Sequence, residues 1–435
     1  MQYLLLIISI VLFAAAPNNA YNFSICLYAF CVFLAGSLLS IYKLRKIEFF
    51  GFNLLFTISF FGCCYIFPIF IYNIDDSFSL FHHGYDYKVI TKATCLASLA
   101  YSCYICGLLQ NLPKLVYYKK IYPDKQIRIE DPNIHPNAVF NIAILFFVLF
   151  IIVGGYNYLD NQYANNVAEG GIITYFYVFV TLIPVLLAYT LNCKFRKKYI
   201  LGAGIFTILL LLTGSRTHPL AVLLGGFYVY NTRHKIPSYI IVVLLFLGII
   251  LMALIGATRG GQELESDSTV GYWSAFLDLI VNNRNLFDAY SIVQSTNIAP
   301  TVLIGPLLAA IPMGQSLFCM LTRTPDYLMR SSAYITYEHF GADPPLGLGT
   351  NIVGDVYIGG GLLAIFILFY MLGHLITKAL YKIHINKNLN WYIFYLCLVT
   401  SGIFICRGSF FLFFRPFIWT LAILYSIKTL TIRIK

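Results

Sequence analysis

The chain has 435 residues, 59% of them hydrophobic and only 11% charged, and its mean hydropathy is +0.77. Such proportions, with apolar runs long enough to cross a hydrocarbon core of ~30 Å, exclude an ordinary soluble domain and point to a polytopic α-helical membrane protein. The formal charge of +11 sits in small clusters between apolar runs rather than along one stripe, which argues against a nucleic-acid partner.

From the N-terminus, residues 3–16 form a short apolar run ending in small residues, as a cleaved leader would. No basic segment precedes it and a second run begins at Tyr21, so it reads as a retained first helix. Further runs of about the ~20 residues a span needs fall near 21–42, 49–72, 89–110, 137–157, 172–191, 199–213, 218–231, 236–257, 350–377, 389–406 and 410–427. The expectation is about twelve transmembrane helices: a bundle over 1–257, one large outer loop over 258–349 and a second bundle over 350–435. Of the 11 cysteines, all but Cys193 and Cys319 lie in apolar runs, where they read as small polarizable core residues. The CxxC at Cys103 and Cys106 lacks the second pair or nearby histidines that a metal site needs.

Alternate loops carry most of the 29 basic residues, in clusters at Lys43 to Lys46, Lys114 to Arg128, Lys194 to Lys198, Arg233 and Lys235, Lys378 to Lys387 and from Lys428 to the end. The positive-inside rule makes these loops, and both termini, cytoplasmic. Lys88 and Lys92 fall on the other side. From position 200 onward every cation there is an arginine: Arg216, Arg259, Arg284, Arg323, Arg330, Arg407 and Arg415. A guanidinium fork suits a planar or doubly bonded anion better than an ammonium does. A pyrophosphate on a membrane lipid fits that set, although Arg259 and Arg330 also suit plain snorkelling to headgroups.

The stretch from Thr258 to Asp355 holds half of all 18 carboxylates. Within it, residues 270–295 have the spacing of an amphipathic helix lying along the membrane surface. Ala299 to Leu321 is apolar enough to cross, but Pro300, Pro306 and Pro312 interrupt it, which points to a re-entrant or interfacial element. Two full spans need about 40 residues, more than separate Lys198 from Lys235, so the Gly214-Ser215-Arg216-Thr217 turn is expected below the outer surface. An arginine there is a functional-site candidate by default.

Displacing a diphosphate by a sugar hydroxyl requires a proton acceptor, for which His339, Glu338, Asp355 and His218 are candidates. Asp355 lies just inside an apolar run and needs a partner, with an arginine the obvious one. Trp273, Tyr290, Tyr334 and Tyr337, with Tyr272 and Tyr327, have the chemistry to stack on sugar faces or to form an interfacial belt. Glu263, Glu265 and Asp267 alternate in a way that can ligate a hard cation, yet nothing nearby completes a shell and solvated linker is the simpler reading. No Gly-rich nucleotide loop and no DxD is present.

The Phe67-to-Tyr72 end of the third run, the Gly214-to-Thr217 turn, the glycine-punctuated run Gly349 to Gly361 with its Asp355, and Arg407 together resemble the O-antigen polymerase family, the bacterial oligosaccharide repeat-unit polymerases. The resemblance implies an all-α, multi-pass membrane fold with one large periplasmic loop, similar to the GT-C-like fold of lipid-linked glycan polymerases and ligases. It further implies an inner-membrane glycosyltransferase, for which the missing DxD makes a metal-independent mechanism without a cofactor the expectation. Such an enzyme transfers a growing chain from undecaprenyl pyrophosphate onto a new lipid-linked unit at the periplasmic face. Donor and acceptor are both undecaprenyl-pyrophosphate-linked oligosaccharides, and membrane lipids and a chain-length regulator protein are the remaining partners. By position, Arg216 and the arginines of the long stretch, Arg259, Arg284 and Arg323 among them, match the periplasmic-loop arginines such enzymes use on pyrophosphate. Arg407 and Arg415 are expected to line the same cavity from the last two helices, and His339 is the candidate, without a local motif match, for the histidine of the related O-antigen ligases. Ligase and flippase remain the competing functions on the residues alone.

Overall fold

A computed structural model describes residues 1–45, 47–74, 86–121, 129, 131–153, 172–194, 196–212, 217–234, 236–258, 277–344 and 347–434. All regular structure among them is helical. In chain order the helices are α1 (Gln2–Ala15), α2 (Phe23–Leu44), α3 (Phe52–Cys64), α4 (Ile90–Gln110), α5 (Leu112–Ile121), α6 (Pro136–Ile152), α7 (Ile172–Thr190), α8 (Arg196–Leu212) and α9 (Thr217–His234). There follow α10 (Ser238–Thr258), α11 (Leu277–Ser295), α12 (Thr301–Leu308), α13 (Gly314–Thr322), α14 (Ser331–Phe340), α15 (Ile352–Asn386), α16 (Leu389–Ser401) and α17 (Phe414–Ile434).

Among the described residues three helical stretches are long and apolar enough to cross a membrane: Phe23–Leu44, Tyr87–Gln110 and Ile352–Asn386. Shorter apolar helices include Gln2–Ala15, Phe52–Cys64, Pro136–Ile152 and Leu389–Ser401. The expected run 49–72 is not one rod. Its α3 ends at Cys64, and a π-helical turn with Pro68 near its start follows over Phe67–Ile71. Proline supplies no N–H for an i→i−4 bond, so the ladder re-forms with a wider loop there. The proline-interrupted run 299–321 likewise forms two short helices, α12 and α13, with Met313 between them in the left-handed conformation at φ 59°.

The chain divides into two compact units. One contains Met1–Lys120, Ile236–Lys378 and Gly402–Leu412. In it α1, α2 and α4 pack side by side, and Ser9 Oγ lies 2.7 Å from Ser102 Oγ across the α1–α4 contact. Lys92, expected on the outer side at the start of the run 89–110, is buried on α4 and donates from Nζ to the Ala16 carbonyl at 3.0 Å. The carbonyls at the end of α1 carry the negative pole of its dipole, which accounts for a buried ammonium that meets no carboxylate among the described residues. Gly107 allows a close backbone approach in this unit: a Cβ there would lie 2.0 Å from the Tyr370 carbonyl oxygen.

The other unit contains Ile121–Lys235, Ala379–Ser401 and Phe413–Lys435. Phe146 of α6 stacks on Phe179 of α7 at 4.6 Å. Lys428 Nζ meets Asp131 Oδ2 at 2.8 Å and ties α17 to the turn before α6. His218 and Arg415 belong here, His218 buried at the start of α9 and Arg415 half-buried at the start of α17.

Candidate functional site: a buried arginine, aspartate and histidine

Helix α11 forms where the aromatic and aliphatic spacing predicts a helix, but it does not lie along a surface. Residues 282–290 are buried without interruption, Asn282, Asn283, Arg284, Asn285 and Asp288 included. A helix that buries so many polar groups must pair them. Asn283 donates from Nδ2 to the Gly62 carbonyl at 2.9 Å, and Asn351 donates to the carbonyls of Cys63 at 2.9 Å and Asn282 at 3.1 Å. The last carbonyls of α3 would otherwise lack partners at the helix end. These amides cap them and fix α11 against α3 and the start of α15. Gly354 lets α15 close on α11, since a Cβ there would meet Ala289 Cβ at 2.6 Å.

On that fixed helix Arg284 and Asp288 are one turn apart, with Nε 3.4 Å from Oδ2 and side chains 2% and 3% exposed. From α14, His339 brings Nε2 to 3.2 Å from the same oxygen, with 27% of its side chain exposed. The Asp288 carboxylate, through its hydrogen bond and then its charge, holds the His339 pKa above the ordinary histidine value against the opposing effect of burial. Arg284 Nη2 donates to Asn285 Oδ1 at 3.2 Å. Arg284 Nη1 and Asn285 Nδ2 have no hydrogen-bond partner among the described residues. The site therefore sets an imidazole against a carboxylate beside buried donors that have no acceptor among the described residues, groups whose chemistry suits taking a proton and holding an anion.

The family model for O-antigen polysaccharide polymerase Wzy matches residues 1–434. The chain belongs to this polymerase family. No curated protein and no solved structure matches it. Membership implies an inner-membrane enzyme of O-antigen repeat-unit polymerisation whose substrates are lipid-linked repeat units.

For a member of the O-antigen polymerase family, the placement of the other candidates separates several roles. Arg323 is exposed at the end of α13 with φ 56°, and Arg407 is exposed on the 3-10 turn Ile405–Arg407. Arg330 is exposed and donates to Gln315 Oε1 at 2.9 Å. Arg284 is the buried one of the described candidate arginines. Arg216, Arg259 and Trp273 lie outside the described residues, as do Tyr272, Glu263, Glu265 and Asp267.

Asp355 is fully buried, but its partner is not an arginine as expected. Its oxygens accept from the Ser331 hydroxyl and from the Phe410 N–H at 2.8 Å, and Ser331 Oγ also lies 2.7 Å from Thr350 Oγ1. Hydroxyl and amide dipoles take the place of a counter-charge. The carboxylate thus joins α14, α15 and the turn after Arg407. Glu338 is exposed beside His339 on α14.

Two of the sugar-stacking candidates are core residues. Tyr290 is 3% exposed and stacks on Tyr357 at 5.5 Å, and Tyr334 is buried with its hydroxyl 3.1 Å from Thr296 Oγ1. Tyr337 is exposed, with one face stacked on Tyr327 at 3.8 Å. Sequence reasoning gave Asp288 no role. The available signal was its i, i+4 spacing from Arg284 on a helix. Nothing comparable in the sequence marks the capping role of Asn283 or Asn351.

Proposed function

We propose that this chain polymerises undecaprenyl-pyrophosphate-linked oligosaccharide repeat units at the periplasmic face of the inner membrane, with the segment 258–349 on that face and about twelve spans carrying it. In the reaction a hydroxyl oxygen of the new lipid-linked unit attacks the anomeric carbon of the growing chain. The bond from that carbon to the diphosphate oxygen breaks, its electron pair leaves with undecaprenyl pyrophosphate, and the hydroxyl proton passes to the base.

His339 is that base. With Nε2 turned to Asp288, a neutral imidazole keeps Nδ1 as its proton acceptor. Arg284 holds the departing diphosphate, where charge grows as the bond breaks, and Arg216 and Arg259 join it. Arg323 and Arg407, as exposed guanidiniums, and Arg415 draw in the carrier headgroups. Guanidinium charge meets the electrostatic demand, so the reading assigns no role to a metal. Tyr337 offers a ring face to a sugar, and Asp355 acts as a positioning residue for the turn that presents Arg407.

The observation that carries this reading is the meeting of Arg284, Asp288 and His339 within one segment of a chain of this family. Purified protein supplied with lipid-linked repeat units is expected to produce a ladder of products. Transfer of a single block to lipid A-core would instead indicate a ligase, and absence of any new glycosidic bond would indicate a transporter. Asp355→Asn keeps an acceptor for the Phe410 N–H and is expected to retain most of that activity. Asp355→Ala strands buried donors at ~1–3 kcal/mol each and should lower the thermal midpoint in detergent.

A further inference from the structure

A cleft of about 700 Å³ opens among the start of α1, the end of α2 and the α4–α5 corner, far along the chain from the Arg284 segment. Its volume lies within the ~300–1,000 Å³ typical of small-molecule sites. Leu39, Leu112 and Val116 line it with aliphatic surface. At its rim stand Tyr42 and Tyr117, 52% and 69% exposed. Lys43 is the charged side chain among its lining residues, and no carboxylate is among them. Arg45, two residues on, lies over the ring of the lining residue Tyr42 at 4.4 Å, which holds a second cation beside the cleft.

Greasy walls, tyrosines at the mouth and cations beyond them reproduce, in one cleft, the layering of a membrane interface. A free apolar chain would need only the walls. Lys43 and Arg45 form no ion pair among the described residues, and a zwitterionic lipid would leave them without an anion. We infer that this cleft is a binding site for one anionic glycerophospholipid, with an acyl chain along Leu39, Leu112 and Val116 and the phosphate beside Lys43 and Arg45. The basic loops that supply these cations are the ones the charge bias places at the cytoplasmic leaflet, where anionic headgroups attract lysine and arginine. The site is independent of the polymerisation reading.

Native mass spectrometry of the full chain in mild detergent, with equal amounts of phosphatidylglycerol, phosphatidylethanolamine and undecaprenyl phosphate, tests it. One phosphatidylglycerol is expected to remain bound in preference to both others. Lys43→Gln should reduce its retention roughly fivefold, as for loss of ~1 kcal/mol per basic residue near a headgroup. Val116→Trp, which fills the cleft, should abolish retention. Equal retention of phosphatidylethanolamine, displacement by undecaprenyl phosphate, or wild-type retention by both variants would overturn the proposal. Lys43 is exposed, so its variant and the lipid competition on the wild type decide the matter even where the tryptophan variant does not fold.

Discussion

Asp288→Ala is expected to destabilise the protein by ~3–5 kcal/mol, because it leaves the Arg284 guanidinium buried at 2% exposure without its carboxylate. The same change removes the group that orients His339, so polymer synthesis should be lost as well. Stability and activity separate in a second variant. Replacing both partners, as Arg284→Met with Asp288→Leu, removes the desolvated charges together and is expected to restore most of the thermal midpoint. Polymer synthesis should remain absent, since neither anion-holding nor imidazole-orienting group is present. Recovery of product ladders in the double variant would show that the pair serves only packing.

His339→Gln is expected to slow polymerisation by about 10²–10⁴-fold, the usual contribution of a positioned proton acceptor, while leaving the folded protein intact. The pH profile gives the sharper measurement. The Asp288 carboxylate raises the His339 pKa, and only the neutral imidazole accepts a proton, so the rate should rise with pH through that elevated value. Asp288→Asn removes the charge and should move the acid limb of the profile to lower pH. For stability the sign is opposite. A histidine whose folded pKa exceeds its unfolded one stabilises fully below the unfolded value, and that contribution fades as pH rises through the folded value. Activity and stability should therefore respond to alkalinisation in opposite directions, which a general loss of structure does not produce.

Much of the helical layout was legible because apolar run length and proline position act locally. The break in 299–321 followed from its three prolines, and α1, α2, α4 and α15 occupy the runs read as spans. What composition could not reveal is which polar groups face inward. Residues 270–295 have the spacing of a surface helix, yet positions 282–290 of α11 are buried throughout, with the amides of Asn283 and Asn351 donating to carbonyls on α3. A hydrogen bond between residues more than two hundred positions apart leaves no periodic trace. Asp355 was recognised as needing a partner, but hydroxyl and main-chain donors satisfied a carboxylate that charge counting assigned to arginine. His339 is a proton-acceptor candidate by its chemistry alone, and its contact with Asp288 is visible only in the fold.

The carboxamide caps on α3 also bear on biogenesis. Gly62 and Cys63 leave the ribosome long before Asn283 and Asn351 exist, so the carbonyls they contribute stay without their final donors through most of translation. Contacts between residues so far apart in sequence form late in folding, so the polar pairing of this part of the first unit is completed only after most of the chain has been made.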